Sequence, residues 1–220
     1  MTTTDLDTCF AGLVRHHIAT SAQPLPPTTH GITWIIGANG IYKRGVTAVL
    51  DLLIPVAPLP VHLPGLVPVV PHIWWPAWPR RLPAALLPPL LADARQAGGR
   101  QAIEKQYFII WDDGKLRLRA PRHQKGTASR VRYQMPQQGD VLCDLHSHHR
   151  LPAYFSATDD ADDLGLSVSV VIGTLWETPT MCTRVNVYGH RWVVPATHVF
   201  DGLENFHDTD TEETDADLHD

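Results

Sequence analysis

The chain has 220 residues, 44% hydrophobic and 19% charged, which suits one sizeable soluble domain with an appendage, or two small ones. The formal charge of −5 is uneven: eight of the 23 acidic residues fall within 204–220, which lacks Lys and Arg, and the other 15 face 18 basic residues. Three widely spaced cysteines, Cys9, Cys143 and Cys182, exclude a disulfide framework and a Cys-based zinc site, and fit a reducing cytoplasm.

In chain order, Met1-Thr-Thr-Thr-Asp-Leu-Asp lacks the basic start and apolar core of a signal peptide, so a soluble, cytoplasmic chain is expected. Residues 5–20 read as a short amphipathic helix. His30 to Arg44 reads as a hairpin turning at Gly37-Ala-Asn-Gly40, and Val46 to Ile54 as a further strand. The run from Leu52 to Leu91 is the longest apolar one, but eleven prolines interrupt it and rule out a membrane helix. Its Trp74, Trp75 and Trp78 make it too apolar for a bare linker. It is either an ordered arm packed on the main domain or a partner-binding surface; the packed arm is favoured, since so many exposed tryptophans invite aggregation.

Leu86 to Gln101 predicts a helix ending near Gly98-Gly99. Tyr107–Trp111 and Lys115–Ala120 predict strands joined across Asp112-Asp-Gly114. Between Lys115 and Arg132 stand seven basic residues and no acidic one. Without interleaved aromatics this reads as a solvated face, or one meeting an acidic protein, rather than a nucleic-acid site. Asp140 to Leu145 is apolar enough for a strand, and Cys143 on it reads as a small buried residue. Leu166–Gly173 reads as a buried strand, and Thr183–Val187 with Arg191–Val194 as a closing hairpin. The acidic end reads as disordered. The chain thus divides into a small N-terminal α+β region (1–54), a proline- and tryptophan-rich arm (55–85), a main domain (86–202) and an acidic tail (203–220).

The chemistry gathers after the strand 140–145. His146 and His148 are two apart, so on a strand their rings share a face. A turn and short helix would return Asp159 to them. Two imidazoles and one carboxylate make a three-ligand set for Zn²⁺ with a fourth position open, as in catalytic zinc sites. Thirteen histidines make a chance His-x-His common. The added offsets of Ser156 and Asp159 make the whole pattern, His-Ser-His-x(7)-Ser-x(2)-Asp, far more specific.

That pattern resembles the JAB/MPN (JAMM) family of zinc metallopeptidases, over roughly residues 85–200. The resemblance implies an α/β fold, a JAB/MPN-like (cytidine-deaminase-like) α-β sandwich, here with a β-rich N-terminal part and a proline-rich arm. It implies zinc held by His146, His148 and Asp159, and an upstream glutamate as general base. Glu104, the one glutamate between Asp51 and the motif, stands where helix meets strand, as the family glutamate does. The resemblance gives Ser156 the role of oxyanion donor; an N-cap hydroxyl is its ordinary alternative. The family usually has proline where this chain has His149. As a fourth ligand His149 would close the site, but neighbouring strand residues face opposite sides.

Within the family, Ser156-Ala-Thr-Asp-Asp-Ala-Asp-Asp163 after Ala153-Tyr-Phe looks like the bacterial PRTRC system protein A group. That likeness implies an E1-like ThiF protein and a ubiquitin-like protein as partners, on plasmids and mobile elements. The leading expectation is a peptidase or isopeptidase acting on the C-terminus of a ubiquitin-like protein. The alternative is a catalytically silent JAB-like scaffold. A plasmid-maintenance factor binding DNA through 115–132 ranks last.

Overall fold

A computed structural model describes residues 14–97, 103–127, 131–135 and 139–209. Strands dominate, with two α-helices among the described residues, so the fold is mixed α/β.

The first unit is a five-stranded sheet in simple order: β1 (His16–Ile18), β2 (Gly31–Gly37), β3 (Gly40–Val46), β4 (Asp51–Ala57) and β5 (His72–Trp74). β1 runs parallel to β2, and the remaining pairs are antiparallel. The helix expected over 5–20 is corrected where it can be seen: His16–Ile18 pairs with Trp34–Ile36, and ladder bonds of the sheet override local helical periodicity. The start of that expected helix, residues 5–13, lies outside the described residues. Alternation along β4 sends Leu53 to a small cluster with Ile35, Tyr42 and Val69, and Leu52 and Ile54 into the main core.

The proline-rich segment packs onto the rest of the chain. It contributes β5 and β6 (Leu82–Pro83), Trp75 is 2% exposed, and Trp78 lies against the main core. Only Trp74 of the three tryptophans stays substantially exposed. Helix α1 (Leu87–Gln96) follows a 3₁₀ turn and opens on Pro88 and Pro89, tolerated where helical N–H groups lack partners anyway. Its Leu87, Leu90, Leu91 and Ala94 are buried on one face.

The second sheet carries β7 (Gln106–Asp112), β8 (Lys115–Arg119), β11 (Asp140–Ser147), β12 (Leu166–Gly173), β13 (Thr180–Val187) and β14 (His190–Val194), in the order β14-β13-β12-β11-β7-β8. Two short strands, β9 (Gln124–Gly126) and β10 (Val131–Tyr133), pair with each other beside it. β15 (Phe200–Asp201) pairs with β6, and β16 (His207–Asp208) joins the sheet along β13. β11 and β12 run parallel, and their crossover holds helix α2 (Ala157–Asp162).

One face of this sheet, with Tyr107, Ile109, Leu145, Val170 and Val185, packs on α1, the arm and the N-terminal sheet as one continuous core. The other face carries α2 and the polar side chains Asp144, His146, Arg184 and Asn186, beside a small apolar cluster of Val171, Cys182 and Phe155. The tail expected to be disordered from 203 is corrected: Leu203 and Phe206 pack on the core and β16 pairs with β13, so apolar contacts hold it in place through Thr209. Residues 210–220 lie outside the described residues. No described helix is long and apolar enough to cross a membrane.

Candidate metal centre

β11 is central, between β12 and β7, and a bulge at Val141–Cys143 sets the phase of its side chains. After the bulge Cys143 and Leu145 enter the apolar core, while Asp144 and His146 take the polar face. His148 lies one step past the strand, and its N–H donates to Ile172 O (2.8 Å), which prolongs the ladder. The two rings meet on one side, with Nε2 atoms 3.2 Å apart. Both histidines are buried.

Asp159 arrives from α2. Ser156 is the N-cap, and the pair forms a capping box. The Ser156 N–H and hydroxyl both donate to Asp159 Oδ2 (2.7 Å each), and the Asp159 N–H donates back to Ser156 Oγ (3.3 Å). With Oδ2 occupied, Oδ1 faces His146 Nε2 at 3.6 Å. One ligand atom from each of His146, His148 and Asp159 lies within 4.8 Å of the others. Ser156 is thus engaged as a cap, the alternative read from sequence, and reaches an oxyanion only after turning from Asp159.

The donor set fits zinc. Two nitrogens on a tetrahedral zinc are about 3.3 Å apart, close to the spacing of the two Nε2 atoms. His148 Nδ1 lies 3.3 Å from Pro152 O, so a proton there donates to the carbonyl and leaves the Nε2 lone pair toward the cluster. Burial lowers both imidazole pKa values, His146 to about 4 against the opposing charge of Asp159. Both rings are therefore neutral near pH 7, as ligation requires.

Glu104 sits at the entry to β7, 7% exposed, with Oε1 3.8 Å from His148 Nε2. Burial and then the negative charge of Asp159 push its carboxyl up to about 7. Its segment is clipped on both sides. Ser147, between the two histidines, exchanges two bonds with Lys105, and the Glu104 N–H donates to Thr127 O (2.9 Å). A side chain on Gly126 would collide with Glu104 O at 2.1 Å. All five candidates, Glu104, His146, His148, Ser156 and Asp159, line one cavity of about 90 Å³, with Tyr154 as a wall. A larger cavity of about 640 Å³ lies along basic β8 and contains none of them.

His149 turns away, its ring 4.2 Å from that of Trp176. Its φ of +54° is one that proline cannot adopt. The extra carboxylates Asp160 and Asp163 are taken by Arg184 rather than offered to a metal. Sequence reasoning missed Ser147, Pro152 and Arg184. It also missed Gly126 and Gly173, although glycine inside a strand is the usual mark of close backbone approach.

Three ligand atoms with a buried carboxyl beside them, on the polar face of a mixed sheet, define a candidate metal-binding α/β domain. Residues 94–188 match the family model described as prokaryotic homologs of the JAB domain. This span holds all five candidates and is similar to the JAB domain family. No curated protein matches the chain. The β11–α2–β12 crossover and its flanking antiparallel strands are compatible with a JAB-like fold.

Proposed function

We propose that the chain is a zinc-dependent metallopeptidase or isopeptidase that cleaves at the C-terminus of a ubiquitin-like protein. The observation that carries the reading is the buried Glu104 carboxyl 3.8 Å from His148 Nε2, beside the cluster His146, His148 and Asp159. Bound there, zinc supplies Lewis acidity to a substrate carbonyl and lowers the pKa of a water. Neutral His146 and His148 offer Nε2 lone pairs, and Asp159 offers Oδ1 as the one anionic ligand. Glu104, whose Oε1 lies 3.8 Å from His148 Nε2, would take a proton from a water there and hand it to the leaving amine. Ser156 donates its hydroxyl to the developing oxyanion once it has turned from Asp159.

The substrate class rests on the family. The likeness of Ser156–Asp163 to the PRTRC system protein A group supports a ubiquitin-like substrate and a ThiF-like partner, in the bacterial cytoplasm. The test is zinc content by mass spectrometry, with hydrolysis of a ubiquitin-like fusion. Wild type and Glu104→Gln should each hold about one zinc, and His146→Ala/His148→Ala none. Only wild type should hydrolyse. Absence of zinc from wild type after incubation with the metal moves the protein to the silent-scaffold reading, and equal metal loss in Glu104→Gln removes Glu104 from catalysis.

A further inference from the structure

Helix α2 has six residues and no buried side chain, so it has no apolar face to dock it on the sheet. A helix this short does not hold itself together in water. Asp162 and Asp163 near its C-terminal end oppose the helix dipole. Yet Asp159, on this helix, must lie within a few ångströms of two imidazoles fixed on another element.

What ties the segment down is Arg184. It projects from β13 on the polar face, with a side chain 4% exposed. Nη1 contacts Asp160 Oδ1 at 2.5 Å and Nη2 contacts Asp163 Oδ2 at 2.7 Å. The central carbon of the guanidinium lies over the Phe155 ring, 3.9 Å from its centre. One side chain therefore grips the residue before the N-cap, the residue after Asp159, and the C-cap. Asn186, also on β13, adds a bond to Asp163 at 3.1 Å. Arg191 reaches Asp160 from a more exposed position.

We propose that Arg184 is a positioning residue for the metal centre: by gripping Phe155, Asp160 and Asp163 it sets Asp159 Oδ1 among the ligand atoms. The inference rests on the metal reading above. It requires an arginine, because a planar fork meets two carboxylates and stacks on a ring at once, whereas lysine is a point donor.

The test uses the full chain, stripped of metal by a chelator and titrated with Co²⁺, whose visible absorption reports coordination geometry. Zinc affinity is then read by competition. Wild type should take up one ion per chain. Arg184→Gln should bind zinc 10- to 100-fold more weakly, as removal of an orienting partner does, with an altered cobalt spectrum. Arg184→Lys should fall between. Val185→Ala, on the apolar face of the same strand, should lower the melting temperature while leaving affinity and spectrum at wild-type values. Wild-type affinity and spectrum in Arg184→Gln overturn the inference alone. Failure of wild type to take up metal overturns the metal reading and this inference together. Should Arg184→Gln not fold by circular dichroism, Asp160→Asn carries the test, since Asp160 is half-exposed. A several-fold loss of zinc affinity there supports the inference, and an unchanged affinity overturns it.

Discussion

The indole N–H of Trp75 donates to the carbonyl of Leu142 over 2.9 Å, joining the proline-rich arm to the strand that delivers both histidines. Leu142 is the extra residue of the β11 bulge, so its carbonyl has no place in the ladder with β7. Trp75 supplies the partner that a buried carbonyl needs. Trp75→Phe keeps much of the ring and removes the donor. The expected loss is about 1–3 kcal/mol of unfolding free energy, read by urea denaturation. An unchanged midpoint would show that water replaces the indole.

The turn after His148 is built for a residue other than proline. His149 holds φ at +54°, and its carbonyl accepts from Leu175 N at 2.9 Å. His149→Pro would force φ to about −65° and displace His148 along with the turn. It should destabilise by more than about 1 kcal/mol and weaken zinc binding, whereas His149→Asn, which tolerates the left-handed region, should keep the metal. Thermal melts with and without zinc distinguish the two variants. Equal behaviour would show that the turn adapts.

Gly173 ends β12 where the loop 151–153 crosses it. A Cβ there would lie 2.3 Å from Leu151 O and 2.4 Å from Ala153 N, both backbone atoms. Pro152, between them, holds His148 Nδ1, so displacement reaches a metal ligand. Gly173→Ala should cost about 1–3 kcal/mol, as overpacking does, and lower zinc affinity by calorimetry. Zinc affinity at the wild-type value would show that the loop moves as a unit without His148.

What the sequence made legible was local. Leu166–Gly173 was readable as a strand from its own apolar run, and His146, His148 and Asp159 from offsets within fourteen residues. What stayed hidden depends on distant partners. Trp75 meets Leu142 across 67 residues, and Arg184 meets Asp160 across 24. Neither contact leaves a periodic trace. The amphipathic pattern misled at 16–18 for the same reason, since pairing with Trp34–Ile36 decides the conformation of His16–Ile18. The order at Leu203 and Phe206 was masked by the acidic composition around them, because two anchoring apolar residues weigh little in an average.

The N-terminal sheet has its own charged tie, and it gives stability a defined dependence on pH. Arg44 on β3 meets Asp51 on β4 through two bonds, Nε to Oδ1 at 2.8 Å and Nη2 to Oδ2 at 2.6 Å, with both side chains buried. His72 on β5 stands 3.1 Å from the same Oδ1. Burial alone would raise the Asp51 carboxyl, but the bonds from Arg44 and His72 and the charges behind them outweigh it and hold it well below the usual carboxylate range. An unfolded aspartate takes up its proton near pH 3.9, so as pH falls the unfolded state gains a proton before the folded state does. The stabilisation is therefore complete above about pH 5 and is lost as pH drops below about 4 toward the folded pKa. Asp51→Asn removes the carboxylate and leaves Arg44 buried without its counter-charge, at an expected cost of about 3–5 kcal/mol near neutrality. That gap between wild type and variant should narrow by about 1 kcal/mol between pH 5 and pH 3, below the range in which imidazoles change charge, read by urea unfolding at each pH. A gap that holds its pH 5 value down to pH 3 would place the acid sensitivity of the fold elsewhere than in Asp51.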